Sequence, residues 1–211
     1  MKKIIVFGAT GGTGKLVVEQ ALEAGHQVTV VVRNPDAFTI RHKNLEIIKG
    51  DVFQPLTFEN ALKEKDAVVS CLGIQKREPT TVYSEGVKNI AQAMLKAGVN
   101  RIICISSGAV IIPPKSSFML KFITKNILQR LYKHIYADML LMEKMLSESN
   151  LNWTVIRPPR LMDTKHTRKY RTTINEPLRN PSKISRADLA DYIVNHLTDE
   201  KTFKAKFEIS Y

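Results

Sequence analysis

Short apolar runs alternate with helical segments along nearly the whole chain. Runs rich in β-branched residues predict strands at residues 2–8, 27–32, 45–51, 67–73, 101–107, 152–157 and 203–210. Apolar residues three or four positions apart predict helices at residues 13–24, 56–65, 81–97, 118–147 and 184–197. The fourth helix is either continuous or divided near His134, and Ser185 is the predicted N-cap of the last. Because strands that are apolar throughout are buried on both faces, this alternation predicts an α/β fold: a parallel sheet with helices on both faces.

The length and composition are typical of one folded domain. The chain has 211 residues, 44% of them hydrophobic and 25% charged, so we expect a single domain over residues 1–211 with a sizeable core. No apolar run approaches the roughly 18–20 residues of a membrane span, and the N-terminus lacks the pattern of a signal peptide, which together favour the cytoplasm. Cys71 and Cys104 lie within apolar runs, so we expect buried, reduced thiols and no metal site.

Positive charge is concentrated in the second half of the chain. Lys and Arg number 32 against 20 Asp and Glu, a net charge of +12, and the excess is largest between Arg157 and Arg186. Such a stretch indicates an anion, which could be a nucleic acid, an acidic lipid surface, or the phosphates and carboxylates of small molecules. Tyr170 is the only aromatic residue of this stretch, so base stacking is disfavoured and no nucleic acid is expected.

A glycine-rich motif follows the first predicted strand. GATGGTGK at residues 8–15 places Gly8, Gly11 and Gly14 at intervals of three and opens the first predicted helix. Backbone N–H groups at a helix N-terminus bind a pyrophosphate only where no side chain intervenes, and the last glycine lets the helix pack closely on the strand. Leu16 stands where a Walker loop needs Ser or Thr for magnesium, which excludes that loop. The motif therefore predicts a dinucleotide site in a Rossmann-type, doubly wound parallel sheet.

The residue after the second predicted strand bears on the choice of dinucleotide. NAD-binding sites place an acidic residue here to accept hydrogen bonds from the ribose 2′-OH, whereas this chain has Arg33 and no acid from Val30 to Asn34. A guanidinium pairs with a 2′-phosphate instead. The sequence thus favours NADP(H) over NAD(H); the alternative is a solvated surface arginine in the loop at Asn34-Pro35.

Further motifs carry a resemblance to a known family. They are FGATGGTG (7–14), VVRN (31–34), GDV (50–52), DAVVSCLG (66–73), PTTVYSEGVKNI (79–90), ISSGA (105–109), IRPP (156–159) and ISRADLADYI (184–193). With these motifs the chain resembles, over nearly its full length, the atypical short-chain dehydrogenase/reductase group of NAD(P)H-binding, NmrA-like proteins, and within it the flavin reductase (biliverdin reductase B) type. The resemblance implies a small C-terminal substrate region, with segments at about 108–150 and 157–184.

The resemblance also implies roles for individual residues. Within the glycine motif, pyrophosphate contacts are implied for Thr10, Gly11, Gly12 and Thr13, which lie between Gly8 and Gly14. Contacts with the rest of the dinucleotide are implied for Arg33 (2′-phosphate), Asp51 and Val52 (adenine), Leu72 and Gly73 (ribose), and Ser106, Ser107, Arg157, Pro158 and Pro159 (nicotinamide). Tyr83 and Arg160 are assigned to the substrate pocket. Ser107 matches the serine proposed to assist reduction; alternatively it is an ordinary strand-end serine that satisfies a backbone group.

The catalytic device of most short-chain dehydrogenases is missing. That device is Tyr-x-x-x-Lys, in which the lysine lowers the tyrosine pKa, but Tyr83 is followed by Val87, Tyr132 by Tyr136, and Tyr136 by Leu140. Reduction of a conjugated acceptor such as a flavin, quinone or tetrapyrrole needs less from the protein, because the acceptor takes hydride once it is stacked on the nicotinamide. The sequence therefore predicts an NADPH-dependent reductase of such a small-molecule acceptor. A non-catalytic NADP(H) sensor is the alternative, and a sugar-nucleotide epimerase or dehydratase is less favoured.

Two features depart from the flavin reductase type. The segment from Pro113 to Lys133 is longer here, and its residues 118–133 combine an apolar stripe with basic residues. It predicts a pocket lid, a contact with a membrane or protein partner, or a helix that docks on its own domain. Arg160 stands where the relative has a histidine, which suggests an acidic or phosphorylated acceptor such as FMN.

Overall fold

A parallel sheet organises the fold. Within residues 1–74, 78–112 and 122–211, which the computed structural model describes, eight strands form one sheet in the order β3-β2-β1-β4-β5-β6-β10-β8. These strands are β1 (Lys3–Phe7), β2 (Gln27–Val32), β3 (Leu45–Lys49), β4 (Ala67–Ser70), β5 (Arg101–Ile105), β6 (Asn152–Arg157), β8 (Arg171–Ile174) and β10 (Ala205–Ser210). Neighbouring strands are parallel except β8, which runs antiparallel to β10 at the edge. The order 3-2-1-4-5-6 is that of doubly wound dinucleotide-binding folds, so the predicted fold class is confirmed.

Helices cover both faces of this sheet. They are α1 (Gly12–Glu23), α2 (Ser84–Ala97), α3 (Lys133–Ser147) and α4 (Arg186–Asn195). Because successive strand residues point to opposite faces, Ile4 packs in the core under α1 and α4, and Ile5 packs under α2 and α3. Cys71 and Cys104 are buried and unbridged, as predicted, and burial raises the pKa of Cys71 to about 12.

The helix predicted at residues 56–65 is wrong. Two 3-10 turns, Pro55–Thr57 and Glu59–Leu62, take its place. Phe58 separates them with non-helical backbone angles (φ −138°, ψ −10°) and sets its ring edge-on to Phe7 at 5.0 Å. Burial of one aromatic ring in the core therefore outweighs the local helical pattern.

The long helical pattern at residues 118–147 is divided. Residues 118–121 lie outside the described part, and Thr124–Leu128 forms a π-helical turn followed by one α-helical turn at Gln129–Leu131. Tyr132 breaks the helix with φ −112° and ψ 22°, and α3 begins at the next residue. Of the two alternatives left open by the sequence, the structure therefore shows the divided helix, with the break at Tyr132, two residues before His134.

The basic stretch after β6 contains strands that the sequence pattern does not predict. β7 (Arg160–Met162) pairs in parallel with β9 (Lys183–Ser185), and β8 joins the main sheet. These segments are short and mostly polar, so their pairing depends on contacts with distant residues. At the start of α4, the Ser185 hydroxyl accepts a hydrogen bond from the Asp188 N–H at 2.9 Å, which confirms the predicted N-cap. No helix in the described ranges is long and apolar enough to cross a membrane.

Candidate functional site

A groove of about 1020 Å³ opens at the carboxyl ends of the central strands. It is lined by the residues that follow β1, β2 and β4, together with the end of β5. The strand order reverses between β1 and β4, and doubly wound sheets bind ligands at that switch point. The position of the groove therefore follows from the topology of the sheet.

The glycine loop forms the floor of the groove. Gly8 has a φ of +74°, and a Cβ there would lie 2.8 Å from the backbone nitrogen of Leu72. A Cβ at Gly14 would lie 2.9 Å from the carbonyl carbon of Gly8, so only glycine lets α1 approach the loop this closely. No side chain caps the start of α1 at Gly11. The N–H groups of its first turn thus lack intrahelical acceptors and suit the diphosphate of a dinucleotide.

The far end of the groove is bounded by Arg33 and by the turn at Asp51–Phe53. Asp51 accepts a hydrogen bond from the Phe53 N–H at 3.0 Å through its side chain. The Asn89 side chain donates to the Val52 carbonyl at 2.9 Å and so ties this turn to α2. Arg33 is exposed at the end of β2. This end of the groove therefore places an exposed cation, Arg33, beside the turn at Asp51–Phe53.

The other end of the groove continues into a second cavity of about 230 Å³. Five residues line both spaces, namely Ile74, Tyr83, Ser106, Met139 and Leu161. The second cavity adds Ser107, Tyr132, Ile135, Tyr136, Pro158 and Pro159. It lies against the end of β5, where the fold would place the nicotinamide, and its walls are largely apolar and aromatic. Small-molecule sites in proteins are commonly lined in this way.

A buried ionic cluster supports the junction of the two spaces. The Glu143 side chain of α3 is 1% exposed and accepts hydrogen bonds from Ser106 Oγ at 2.7 Å and from Arg157 Nε at 3.0 Å. The terminal guanidinium nitrogen of Arg157 also bonds this carboxylate, and Lys206 Nζ lies 3.5 Å away. Since the Ser106 hydroxyl donates to Glu143, its lone pairs are left to accept hydrogen bonds from a ligand.

Three tyrosines and two serines line the second cavity, and Tyr83, Tyr136 and Ser107 are among them. Burial raises the pKa of Tyr83 to about 12. Burial likewise raises the pKa of Tyr136, whose hydroxyl shares a hydrogen bond with Ser107. Ser107 Oγ also accepts from the Ala109 N–H at 3.2 Å. These hydroxyls stay protonated near neutral pH, so they can orient an acceptor by hydrogen bonding.

The structure brings together most of the residues predicted for the site. The groove is lined by Gly8, Thr10, Gly11, Gly12, Thr13, Arg33, Asp51, Val52, Leu72, Gly73, Tyr83 and Ser106, and the second cavity by Ser107, Pro158 and Pro159. Their roles remain predictions.

Three predicted residues do not line either space. Gly14 lies behind the loop, and Arg157 is turned toward Glu143. Arg160 is exposed on β7, whose next residue, Leu161, lines both spaces; alternate strand residues face opposite sides, so the side chain of Arg160 points away.

Sequence reasoning missed several residues of the site. Tyr136 and Met139 share one face of α3 with Ile135, and the spacing of these residues was the only signal available for them. Arg186 lines the groove at its glycine-loop wall, and Glu143 sits behind Ser106. No local pattern marks Glu143, and the motif that contains Arg186 does not indicate a place in the site, because each residue reaches the site from a distant part of the chain. No group of metal-ligating side chains occurs among the described residues.

Comparison with known proteins assigns the chain to a family. A family model described as NAD(P)H-binding matches residues 8–200. The chain therefore belongs to this NAD(P)H-binding family, as the broader part of the resemblance implied. The glycine loop, the open N-terminus of α1 and the position of the groove at the carboxyl ends of the strands agree with this membership.

The individual relatives share less than a third of their residues with this chain. Photosystem II assembly factor Ycf39 of Synechocystis sp. is 27% identical over 160 residues, which cover 74% of this chain and 44% of that protein. An uncharacterized chloroplastic protein of Arabidopsis thaliana is 29% identical over 217 residues (95% and 74%). The (4-alkanoyl-5-oxo-2,5-dihydrofuran-3-yl)methyl phosphate reductase of Streptomyces griseus is 27% identical over 159 residues (75% and 48%). The chain spans about half the length of the first and third relatives.

Solved structures share the fold across the full chain. A candidate NADH-flavin reductase from Streptococcus pneumoniae superposes with a TM-score of 0.82 at 24% identity, covering 100% of this chain and 99% of that one. A wide-type short-chain dehydrogenase/reductase from Veillonella parvula in complex with NADP gives 0.82 at 19% identity (100% and 94%). Together with the family match, these likenesses describe an NAD(P)H-binding Rossmann fold.

Proposed function

We propose that this protein is an NADPH-dependent reductase that transfers hydride to a flat, conjugated acceptor such as a flavin, quinone or tetrapyrrole. The observation that carries the proposal is the continuity between the groove and the second cavity at Ser106, Tyr83 and Met139. A dinucleotide held on the glycine loop would extend toward this junction, and an acceptor in the second cavity would meet it there. When bound, the reduced nicotinamide supplies the hydride.

Arg33 supports NADPH over NADH as the reductant. It lies at the adenosine end of the groove, and no acidic residue occupies Val30 to Asn34. A guanidinium can pair with the 2′-phosphate, while an acid at this place would repel it.

The protein would contribute orientation more than acid catalysis. Tyr136 has no lysine four residues on, and burial raises the pKa of its hydroxyl, so the hydroxyl holds its proton more tightly than a free tyrosine does. Ser107 and Tyr136 would hold the acceptor by hydrogen bonds, and the apolar walls would exclude water from one of its faces. An acceptor that is protonated by solvent after hydride transfer fits this arrangement.

The test is NADPH oxidation by the purified protein with riboflavin, FMN, a soluble quinone and biliverdin in turn, alongside calorimetric Kd values for NADPH and NADH. The proposal expects turnover with at least one acceptor and a lower Kd for NADPH. Comparing FMN with riboflavin also tests whether an anionic acceptor is preferred. Tight NADPH binding without turnover of any acceptor would overturn the proposal.

The second candidate function is a non-catalytic NADP(H) sensor. The Ycf39 relative is named for an assembly role, and in this chain Phe122, Ile127 and Leu131 are exposed beside Lys125 and Arg130. An exposed apolar and basic surface of this kind favours a contact with a partner or an acidic membrane, which is one of the alternatives left open by the sequence for residues 118–133. Binding of NADPH without turnover, together with a partner whose affinity depends on NADPH, would favour the sensor.

A further inference from the structure

Arg186 lies across the wall of the groove at the glycine loop. It is the first residue of α4, and its side chain crosses to the start of α1. A Cβ built at Gly12 would lie 2.9 Å from Cδ and 3.0 Å from Nε of Arg186. The Arg186 side chain can therefore lie against the start of α1 only because Gly12 has no side chain.

The guanidinium is held in position by an acidic partner and by its own helix. Arg186 Nη1 donates to Asp163 Oδ1 at 2.7 Å, and the side chains are 27% and 84% exposed. Asp188 accepts hydrogen bonds from the N–H groups of Thr167 and Arg168, both at 2.7 Å. The segment that follows Asp163 is thus tied to α4, which keeps the acid beside the arginine.

We infer that Arg186 binds the diphosphate of the dinucleotide together with the N–H groups of the first turn of α1. The guanidinium has five N–H donors, and the bond to Asp163 uses one nitrogen. The remaining donors lie beside the loop whose backbone suits a diphosphate. A dianionic diphosphate would draw the guanidinium partly away from the largely exposed carboxylate. The inference rests on dinucleotide binding, which the proposed function also requires.

The diphosphate is common to NADPH and NADH, whereas the 2′-phosphate at Arg33 is not. Arg186→Gln is therefore expected to raise the Kd of both dinucleotides by the same factor, roughly tenfold or about 1.4 kcal/mol. It should leave the affinity for adenosine 2′-monophosphate unchanged, because that ligand has no diphosphate. Arg33→Ala should do the opposite: it weakens NADPH and adenosine 2′-monophosphate and leaves NADH unchanged.

Calorimetry on the ligand-free protein measures these affinities without reference to turnover. Lys165→Ala is the matched control, since Lys165 is an exposed cation of the same segment and does not line the groove. Arg186→Lys keeps the charge and an aliphatic stem over Gly12, so it covers the case in which Arg186→Gln fails to fold; it should weaken both dinucleotides by a smaller, equal factor.

Three results would overturn the inference. The first is unchanged affinity for both dinucleotides in both Arg186 variants. The second is a loss confined to NADPH, which would place Arg186 at the 2′-phosphate. The third is an equal loss in Lys165→Ala, which would show a general effect of net charge. If the parent protein bound neither dinucleotide, the proposed function would fall as well, so the two failures are distinguishable.

Discussion

The close contact between Gly14 and the glycine loop makes Gly14→Ala a quantitative test of the fold at the site. The new methyl group would overlap the carbonyl oxygen of Gly8, and it would lie 2.9 Å from the Gly8 carbonyl carbon and 3.0 Å from Ala9 Cα. All three are backbone atoms, so no side chain can rotate away. Either α1 or the loop after β1 must move.

The expected loss of stability follows from two opposing effects. Overpacking of a tight contact costs roughly 1–3 kcal/mol, and the value here lies toward the upper end because backbone must shift. Replacing Gly by Ala in a helix returns up to about 1 kcal/mol. The free energy of unfolding should therefore fall by about 2 kcal/mol, which lowers Tm by about 4–8 °C in a domain of this size.

Gly12→Ala is the matched control. It adds the same methyl group to the same turn of α1 and gains a similar helix propensity, but the atoms it meets belong to the side chain of Arg186, which can shift without moving backbone. Its stability should stay within about 0.5 kcal/mol of the parent protein, while its affinity for dinucleotides falls as Arg186 is displaced.

Urea unfolding without ligand gives both values. It can be followed by circular dichroism and by fluorescence of Trp153, the single tryptophan, which is buried. Equal m-values for the two variants and the parent protein would show that the substitutions change stability without changing the surface exposed on unfolding. If Gly14→Ala proved as stable as Gly12→Ala, the reasoning from the close backbone contact would be refuted.

Three further variants test the role of a cavity hydroxyl and the contributions of two side chains to stability. Tyr136→Phe should lower kcat for a conjugated acceptor by less than about tenfold, whereas loss of a true general acid costs roughly 10²–10⁴-fold; a loss in that larger range would show that Tyr136 donates a proton. Burial lowers the pKa of His26, aided by the N-terminal ammonium and Lys2, so the folded state binds fewer protons than the unfolded one. Stability should therefore fall as pH drops below about 6.5, and His26→Gln should flatten that fall in urea titrations at several pH values. Asp138→Ala removes the buried acceptor of the Tyr83 N–H (2.9 Å) at the start of α2, and it should cost about 1–3 kcal/mol of unfolding free energy; an unchanged urea midpoint would contradict this.

Elements whose pattern is local were predictable. β2 and β6 have the bounds expected from their apolar runs, 27–32 and 152–157, because a strand buried on both faces must be apolar along its whole length. The glycine loop was predictable for a related reason. Gly8 has a positive φ, and a carbonyl oxygen lies where its side chain would be, so the backbone at this position requires glycine and the requirement is visible in the local sequence.

The sequence by itself therefore determined the α/β class, the parallel sheet and the glycine loop at which a dinucleotide is expected to bind. Tertiary structure alone decided what surrounds that place. Arg186 meets Gly12, Glu143 supports Ser106, and Arg160 faces away from the cavity, because the packing of α3 and α4 on the sheet and the pairing of β7 with β9 set their orientation. Phe58 likewise breaks a helical pattern to reach Phe7. Contacts between residues distant in the chain depend on how whole elements pack, and no local propensity records that packing.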